Sequence, residues 1–261
     1  MYKIIIILIS AVTLFNSCFS WGNPPLNLYR VDSRSPDVIF SDGFWPRGAN
    51  TELLLHVIGD TLRNGTNGLI SATDDINIAL RIADGLIIFD DETQWIYTIV
   101  PDISFVDIND SLVSAVISDT VPQNISLQSL GLYRTFGWQQ EYAGEGHIPS
   151  NLIRHAQLVR RVTHADGTQS AEISPDLRIN PGFVPQEPAI SGELLVPTRS
   201  IENFPVEYYG DLFDHPIGGA FIGEGCDGRR SGEAQCHSIS YKEFNKLVKE
   251  RMKKTIITIL K

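Results

Sequence analysis

Four short stretches of this 261-residue chain carry side chains suited to chemistry on a bound ligand. They supply guanidinium groups that could hold an anion, a histidine and carboxylates that could move a proton, and hydroxyl and amide groups that could orient a substrate. The residues are Arg30, Asp32 and Arg34, then His56, then Ser71 and Thr73, and finally Gln139, Glu141 and Glu145. Each of them also has a purely structural interpretation.

The first of these stretches, residues 28–36, begins like a strand and ends at a turn. Its first half alternates apolar and polar residues, whereas its second half holds two arginines and an aspartate. The charges therefore lie either on a solvated sheet edge, as a surface ion pair, or along a cleft.

The other stretches are equally open to two interpretations. A lone histidine among apolar neighbours, such as His56, is more often a satisfied core residue than a base, and Ser71 and Thr73 suit an exposed strand. Glu141 and Glu145 are four residues apart. They could share one solvated helix face, or form a carboxylate pair for glycoside hydrolysis, which needs a separation of about 5–9.5 Å.

The elements that would position these residues are short and of both kinds, which predicts the α+β class. Hydrophobic periodicity predicts strands at 27–32, 68–73, 94–100 and 105–108 and within 153–162, and helices at 36–40, 51–58 and 74–84. From 166 to 225 the periodicity fades and proline accumulates. We expect long loops wrapped over the domain there.

The N-terminus predicts a cleaved secretory signal over residues 1–20. Lys3 precedes the apolar run 4–15, and small residues follow up to Ser20. A run of about a dozen residues is too short to span a bilayer, which takes roughly 20. A buried N-terminal helix is the alternative. The net charge of −10 argues against nucleic acid as a partner, and no cysteine or histidine cluster has the spacing of metal ligands.

The C-terminal part predicts a separable tail. Cys226 and Cys236 are the two cysteines left after the signal, and in an exported protein they most simply form a disulfide. The loop between them holds Arg229 and Arg230 beside glycine and serine, a flexible dibasic site that proteases cut. Residues 237–261 predict an amphipathic helix with a basic polar face, which packs on its own domain or docks in a partner.

Taken together, these motifs resemble the A subunits of bacterial ADP-ribosylating toxins of the cholera, heat-labile enterotoxin and pertussis group. Residues 28–36, with 37–40 and 43–48 after them, resemble the family's arginine-bearing first strand and loop. Residues 71–73 resemble its Ser-Thr-Ser strand, with Ala72 as a departure. Residues 139–141, followed by 146–149, resemble the loop that carries its catalytic glutamate. His56 falls where the family has its active-site histidine.

The resemblance implies an ADP-ribosyltransferase fold with a split, short-stranded mixed sheet, long loops and a C-terminal tail helix. It also implies a catalytic domain at 21–225, a disulfide-closed, protease-sensitive loop at 226–236 and a tail at 237–261 that threads a pentamer of B subunits. NAD would be the ADP-ribose donor, with no metal. The residues implied to hold NAD are Arg30, Val31, Asp32, Ser33, Arg34, Ser71 and Thr73, with Arg30 hydrogen-bonded to Ser71.

In the same way the resemblance assigns catalytic roles. Glu141 would stabilise the oxocarbenium-like ribose, and His56 would orient or deprotonate the acceptor. Gln139 would face the acceptor, as in pertussis-like members. This favours a cysteine on a host G-protein α subunit of the inhibitory class, reached in the host cytosol after secretion through the periplasm. Alternatives are an arginine on the stimulatory α subunit, an NAD glycohydrolase, and a catalytically inactive assembly subunit.

Overall fold

The computed structural model describes residues 23–87, 93–202 and 204. Within them, seven strands form one sheet in the order β4-β5-β2-β1-β3-β6-β7. The strands are β1 (Leu28–Asp32), β2 (Leu69–Thr73), β3 (Gln94–Ile99), β4 (Phe105–Asp107), β5 (Glu141–Glu145), β6 (Ile153–Thr163) and β7 (Gln169–Ile179). The helices are α1 (Pro36–Asp42), α2 (Leu53–Val57), α3 (Asp60–Arg63), α4 (Ile76–Leu86), α5 (Ile108–Ile117) and α6 (Gln123–Phe136). The predicted α+β class is confirmed.

The sheet is nearly divided between β1 and β2. β1 pairs with β3 along its whole length, from Leu28↔Ile99 to Asp32↔Trp95. With β2 it shares the single pair Tyr29↔Thr73. The halves β4-β5-β2 and β1-β3-β6-β7 therefore diverge beyond this pair, and a cleft can open between them. This is the expected split, and β1 is an interior strand, so the interpretation of its charges as a sheet-edge ion pair is wrong.

The expectation of a mixed sheet is also wrong, because every strand pair among the described residues is antiparallel. Alternation of apolar and polar residues shows that a segment is a strand but does not encode the direction of its neighbour. Strand direction was therefore beyond what the residue pattern could predict.

Residue alternation in β2 assigns its two faces to different cores. Leu69 packs with residues of α2, α5 and α6, whereas Ile70 and Ala72 pack in a second cluster with Phe44. Because side chains two apart in a strand share a face, Ser71 and Thr73 lie on the side of Leu69, beneath α2.

The predicted helix at 51–58 is present as the shorter α2, and a second helix that was not predicted, α3, follows it. α2 ends at Val57, and Gly59, with φ +74°, precedes α3. This left-handed residue separates the two helices, and glycine is the residue that adopts the conformation most readily. The residue pattern did not predict the helices α5 and α6. α5 follows Asp107, which caps it by accepting a hydrogen bond from Asp110 N, and α6 follows Pro122.

The expectation of long loops from 166 is wrong for its first part, because β7 occupies Gln169–Ile179. A turn with Gly167 at φ +82° joins it to β6, and His164 N donates to Thr168 O across that turn. β7 is mostly exposed and contains Pro175. An exposed strand needs no apolar alternation, so the pattern that identified the other strands was missing.

Between the end of β7 and Phe204 the described residues form no helix or strand, as expected. We call residues 184–202 together with Phe204 the strap. Val184 N donates to Asn151 O and Ser191 N to Phe105 O, and near its end the strap buries Ile201 and Phe204 in the cluster around α2 and α6. The predicted signal peptide, the loop 205–225, the loop with Cys226, Arg229, Arg230 and Cys236, and the tail helix lie outside the described residues. No helix in the described part is long and apolar enough to cross a membrane.

Candidate active site

The centre of the site is a buried contact between a histidine and a glutamate. His56 Nε2 lies 2.9 Å from Glu141 Oε1, and Ser71 Oγ lies 3.3 Å from the same nitrogen. His56 is fully buried and Glu141 is 2% exposed. Residues that are 85 and 15 positions apart from His56 in the sequence thus meet around one imidazole nitrogen.

Strand register brings the carboxylate to this point. Glu141 is the first residue of β5 and pairs with Thr73, and Ser71 pairs with Ala143. Cross-strand partners share a face, so Glu141, Thr73 and Ser71 lie side by side beneath α2. Ala72, which departs from the family's motif, faces the opposite core and leaves this surface unchanged.

The second imidazole nitrogen of His56 contacts a residue that none of the motifs includes. His56 Nδ1 lies 3.0 Å from Oδ1 of Asn67, which is also buried. In the sequence Asn67 belongs to the run 64–68, whose residue types indicate only a turn. The Asn-Gly pair supports that turn, and nothing in the sequence shows which way the Asn67 side chain points.

Arg30 reaches across the split in the sheet. Its Nη1 donates to Ser71 O at 2.8 Å, and its Nη2 lies 3.5 Å from Asp32 Oδ2. The expected hydrogen bond to Ser71 is therefore present, and it is made to the main-chain oxygen. Arg30 Nε is buried and has no hydrogen-bond partner among the described residues. Burial lowers the pKa of Arg30, and the charge of Asp32 opposes this shift.

Asp32 is held by a bidentate ion pair. Arg34 Nε and Nη2 donate to its two carboxylate oxygens at 2.8 and 2.7 Å, and Arg34 N donates at 3.0 Å. Burial alone would raise the pKa of Asp32. The bonds from Arg34 and the charge of Arg30 outweigh it and hold the pKa below its ordinary value.

An aromatic pair supports the arginines, and neither of its members was predicted as a site residue. The guanidinium carbons of Arg30 and Arg34 lie 5.1 and 5.6 Å from the ring centre of Phe44, within cation–π range. Tyr97 packs edge-on against Phe44 and donates from its hydroxyl to Arg34 O at 2.6 Å. Burial raises the pKa of Tyr97, so it is a neutral donor.

The other residues implied to hold NAD differ in accessibility. Val31 is buried in the cluster around α4, where its side chain cannot reach a ligand in the cleft, and Ser33 is exposed in the bend after β1. Thr73 is fully buried, and its Oγ1 accepts a hydrogen bond from Asp75 N at 3.4 Å.

Gln139 is enclosed by the protein. It ends the 3-10 turn Gly137–Gln139, is fully buried, and both atoms of its amide lack a hydrogen-bond partner among the described residues. Gln140 follows with φ +46°, a left-handed conformation that turns the chain into β5. A buried amide without partners is costly, so a ligand or a rearranged loop that bonded to it would be favoured.

Glu141 and Glu145 do not lie on a helix, and they do not form a glycosidase pair. They are the two ends of β5, and Glu145 is exposed. Four residues of strand span about 13 Å, which exceeds the carboxylate separation of about 5–9.5 Å that glycosidases use. The described residues contain no group of three or more His, Cys, Asp or Glu side chains placed to hold a metal ion.

Comparison with known proteins agrees with this geometry. The profile of the family described as "Heat-labile enterotoxin alpha chain" matches residues 5–194, well over half of the chain. The structure of nicked CARDS toxin superimposes with a TM-score of 0.57 at 21% identity, over 69% of this chain and 34% of that one. EcPltA gives 0.53 at 22% identity, over 69% of this chain and 100% of EcPltA.

At these identities the structural matches show the fold alone, and the chain spans about a third of the length of CARDS toxin. No curated protein sequence matches. The family profile covers the arginine strand, His56, β2 and Glu141. The chain therefore belongs to the heat-labile enterotoxin alpha chain family and has the ADP-ribosyltransferase fold that the sequence predicted.

Proposed function

We propose that this chain is the catalytic subunit of a secreted toxin and transfers ADP-ribose from NAD to a protein side chain. The reaction class is that of the family to which the chain belongs. One observation supports the assignment of residues: the buried contact between His56 and Glu141 stands beside Ser71, at the split that Arg30 crosses.

Glu141 has the environment that cleavage of the nicotinamide bond needs. As nicotinamide leaves, positive charge develops on the ribose, as in glycoside hydrolysis. A carboxylate that is already in place stabilises that charge without reorganisation, and groups of this kind are typically worth factors of about 10²–10³ in rate. No covalent intermediate on the protein is required.

The residues present also suit the binding of NAD. Arg30 and Arg34 supply guanidinium groups near the split, and the free Nε donor of Arg30 is available to a diphosphate or ribose oxygen. Asp32 holds Arg34 in place through the bidentate pair. NAD is the substrate in the proposed reaction, and the proposal involves no metal.

The acceptor is proposed from Gln139. A neutral amide at this position, where the arginine-modifying members have a carboxylate, favours a cysteine on a host G-protein α subunit of the inhibitory class. A carboxylate would align a guanidinium through paired hydrogen bonds to its two oxygens, and an amide has only one acceptor oxygen. The buried, unpartnered amide of Gln139 would gain partners from an acceptor or from a rearranged loop.

We further propose that the signal at residues 1–20 exports the chain and that its tail, residues 237–261, docks in a pentamer of B subunits. The disulfide Cys226–Cys236 would hold the tail to the catalytic domain after cleavage at Arg229–Arg230. The resemblance of the tail and of the cysteine loop to the family's two-part chain supports this arrangement, and the enzyme would then act in the host cytosol.

The experiment incubates the cleaved, reduced chain with labelled NAD and host-cell membranes and maps the label by mass spectrometry. The Glu141→Gln variant is the control. Because an amide cannot supply the negative charge, we expect its transfer rate to fall at least about 10²-fold with an unchanged fold. Retained activity in Glu141→Gln would remove Glu141 from the mechanism.

The position of the label distinguishes the alternatives. Label on a cysteine of a G-protein α subunit supports the argument from Gln139, and label on an arginine overturns it in favour of the stimulatory subunit. Nicotinamide release without label makes the chain an NAD glycohydrolase. If neither label nor released nicotinamide is detected, the chain is an inactive assembly subunit.

A further inference from the structure

We propose that Asn67 is a positioning residue that keeps a proton on His56 Nδ1 and so makes the buried His56–Glu141 pair electrically neutral. The proton assignment follows from hydrogen-bond geometry, whereas its importance for turnover rests on the proposed function. The proposal adds Asn67 to the site, a residue that neither the motifs nor the family resemblance indicated.

The orientation of the Asn67 amide is set by one residue of the main chain. Its Nδ2 donates to Leu69 O at 2.7 Å, and its Oδ1 accepts from Leu69 N at 3.3 Å. Thr61 Oγ1 also donates to Oδ1, at 3.1 Å. Rotating the amide by half a turn would set its oxygen against the carbonyl of Leu69 and its NH₂ against an N–H group. Oδ1 is therefore the atom that faces His56.

An oxygen acceptor at 3.0 Å requires a proton on His56 Nδ1. The loop that presents Asn67 is itself held in place, because Asn67 N donates to Thr61 O and Gly48 N donates to Asn67 O. The acceptor is thus supplied by a buried side chain on a stretch of main chain that is itself held by hydrogen bonds.

With Nδ1 protonated, the contact between Nε2 and Glu141 Oε1 needs a second proton. A bare nitrogen 2.9 Å from an ionised oxygen would set two lone pairs against each other in a buried space. The proton lies either on Nε2, opposite an ionised Glu141, or on Glu141, opposite a neutral imidazole. The pair has zero net charge in both arrangements, which avoids the cost of an isolated buried carboxylate.

This assignment changes the role expected of His56. Both of its nitrogens are occupied, Nδ1–H by Asn67 and Nε2 by Glu141, so it has no free lone pair with which to deprotonate an acceptor. Instead it takes or keeps the shared proton as positive charge develops on the ribose. A proton that starts on Oε1 moves to Nε2, and Glu141 then presents its full negative charge.

The test reads the tautomer directly by nitrogen NMR of the ¹⁵N-labelled full chain at about pH 7. Comparison with His56→Gln identifies the signals of His56. We expect a protonated, pyrrole-type Nδ1. In Asn67→Leu the acceptor is gone, so His56 should become the neutral tautomer with its proton on Nε2, donating to Glu141, and Nδ1 should become pyridine-type.

Thr61→Val is the matched control. It removes a buried hydrogen bond to the same Asn67 Oδ1 but leaves the bond to His56, so Nδ1 should stay protonated. A pyridine-type Nδ1 in the unsubstituted chain overturns the inference even if Asn67→Leu fails to fold. A protonated Nδ1 that persists in folded Asn67→Leu removes Asn67 from the role.

Kinetics add a second readout. Compared with the unsubstituted chain, Asn67→Leu should have a kcat about 10- to 100-fold lower and a KM for NAD within about twofold. The reason is that a wrong tautomer of His56 impairs turnover more than binding. An unchanged kcat in a variant whose tautomer has switched also removes the role. A chain that shows the expected tautomer but transfers no ADP-ribose keeps the proton assignment and refutes the proposed function.

Discussion

Arg30 is the residue that joins two strands sharing a single backbone pair. Its planar guanidinium donates to Ser71 O, contacts Asp32 and lies over Phe44 at the same time. A lysine ammonium is a point charge on a flexible stem and cannot make these three contacts from one position. The side chain is thus needed for its shape as much as for its charge.

We therefore expect Arg30→Lys to lower kcat/KM for NAD by about 10- to 100-fold, the equivalent of one lost hydrogen bond to a charged group. Initial rates of nicotinamide release measure it. Arg154→Lys is the control, because Arg154 lies 5.3 Å from the ring centre of Phe183, on β6 and away from the split. Near-normal rates in Arg30→Lys would show that charge alone suffices.

Asp32 gives the site a predictable response to acid. Its folded-state pKa is lowered, so the stability it contributes is fully present above its unfolded pKa of about 3.9 and is lost as the pH falls through the folded value. Asp32→Asn should therefore be less stable than the parent chain at about pH 6, and the difference should shrink below about pH 4. Denaturant unfolding at a series of pH values measures this.

Asp176→Asn is the control for that series, because Asp176 forms an exposed ion pair with Arg160 at 3.4 Å. Exposed pairs contribute about 0–1 kcal/mol. A deficit of Asp32→Asn that stayed the same from about pH 2 to pH 6 would mean that the ion pair with Arg34 does not stabilise the fold through its charge.

At the scale of the elements, the sequence predicted what depends on local pattern and missed what depends on partners. Apolar alternation or β-branched residues predicted the strands β1, β2 and β3. Motifs identified the site residues of the arginine strand, His56 and Glu141. β7 was missed because it is exposed and follows a turn. Asn67 was missed because its partners, His56 and Leu69, become neighbours only when the turn folds.

The strap shows how a segment without regular structure can be well fixed. Gln128 of α6 is fully buried, and its amide donates to Ile201 O and accepts from Ile201 N, both at 2.8 Å. Glu52, at the start of α2, accepts three hydrogen bonds from Thr198 and Arg199. The strap therefore connects the helix that carries His56 to the rest of the domain.

We expect Gln128→Ala to lower the free energy of unfolding by about 2–4 kcal/mol, because it leaves two buried backbone groups of Ile201 without partners. Glu52→Ala should cost less, since Thr198 and Arg199 are exposed and water can replace the carboxylate. Urea titrations of both variants measure the difference. Equal losses would mean that burial of the strap's end does not determine its contribution.

At the scale of the whole molecule, the proposed two-part arrangement gives the catalytic domain and the predicted tail different tasks. The described strap ends at Phe204, buried against α2 and α6. The dibasic pair Arg229–Arg230 lies 25 residues further along the chain. Cleavage there should therefore leave the domain's own contacts intact and break only the main-chain link to the C-terminal segment. A disulfide between Cys226 and Cys236 would still hold that segment to the domain.

The two-part arrangement predicts that trypsin at limiting concentration cuts between Cys226 and Cys236 and that the tail stays attached until the disulfide is reduced. A denaturing gel should show one band without reductant and two with it. The Arg229→Ser/Arg230→Ser double variant should resist the cut and remain whole under both conditions. Two bands without reductant would mean that the cysteines are not paired. A single band after trypsin treatment and reduction would refute the separable tail, and with it the proposal that a B-subunit pentamer is carried on residues 237–261.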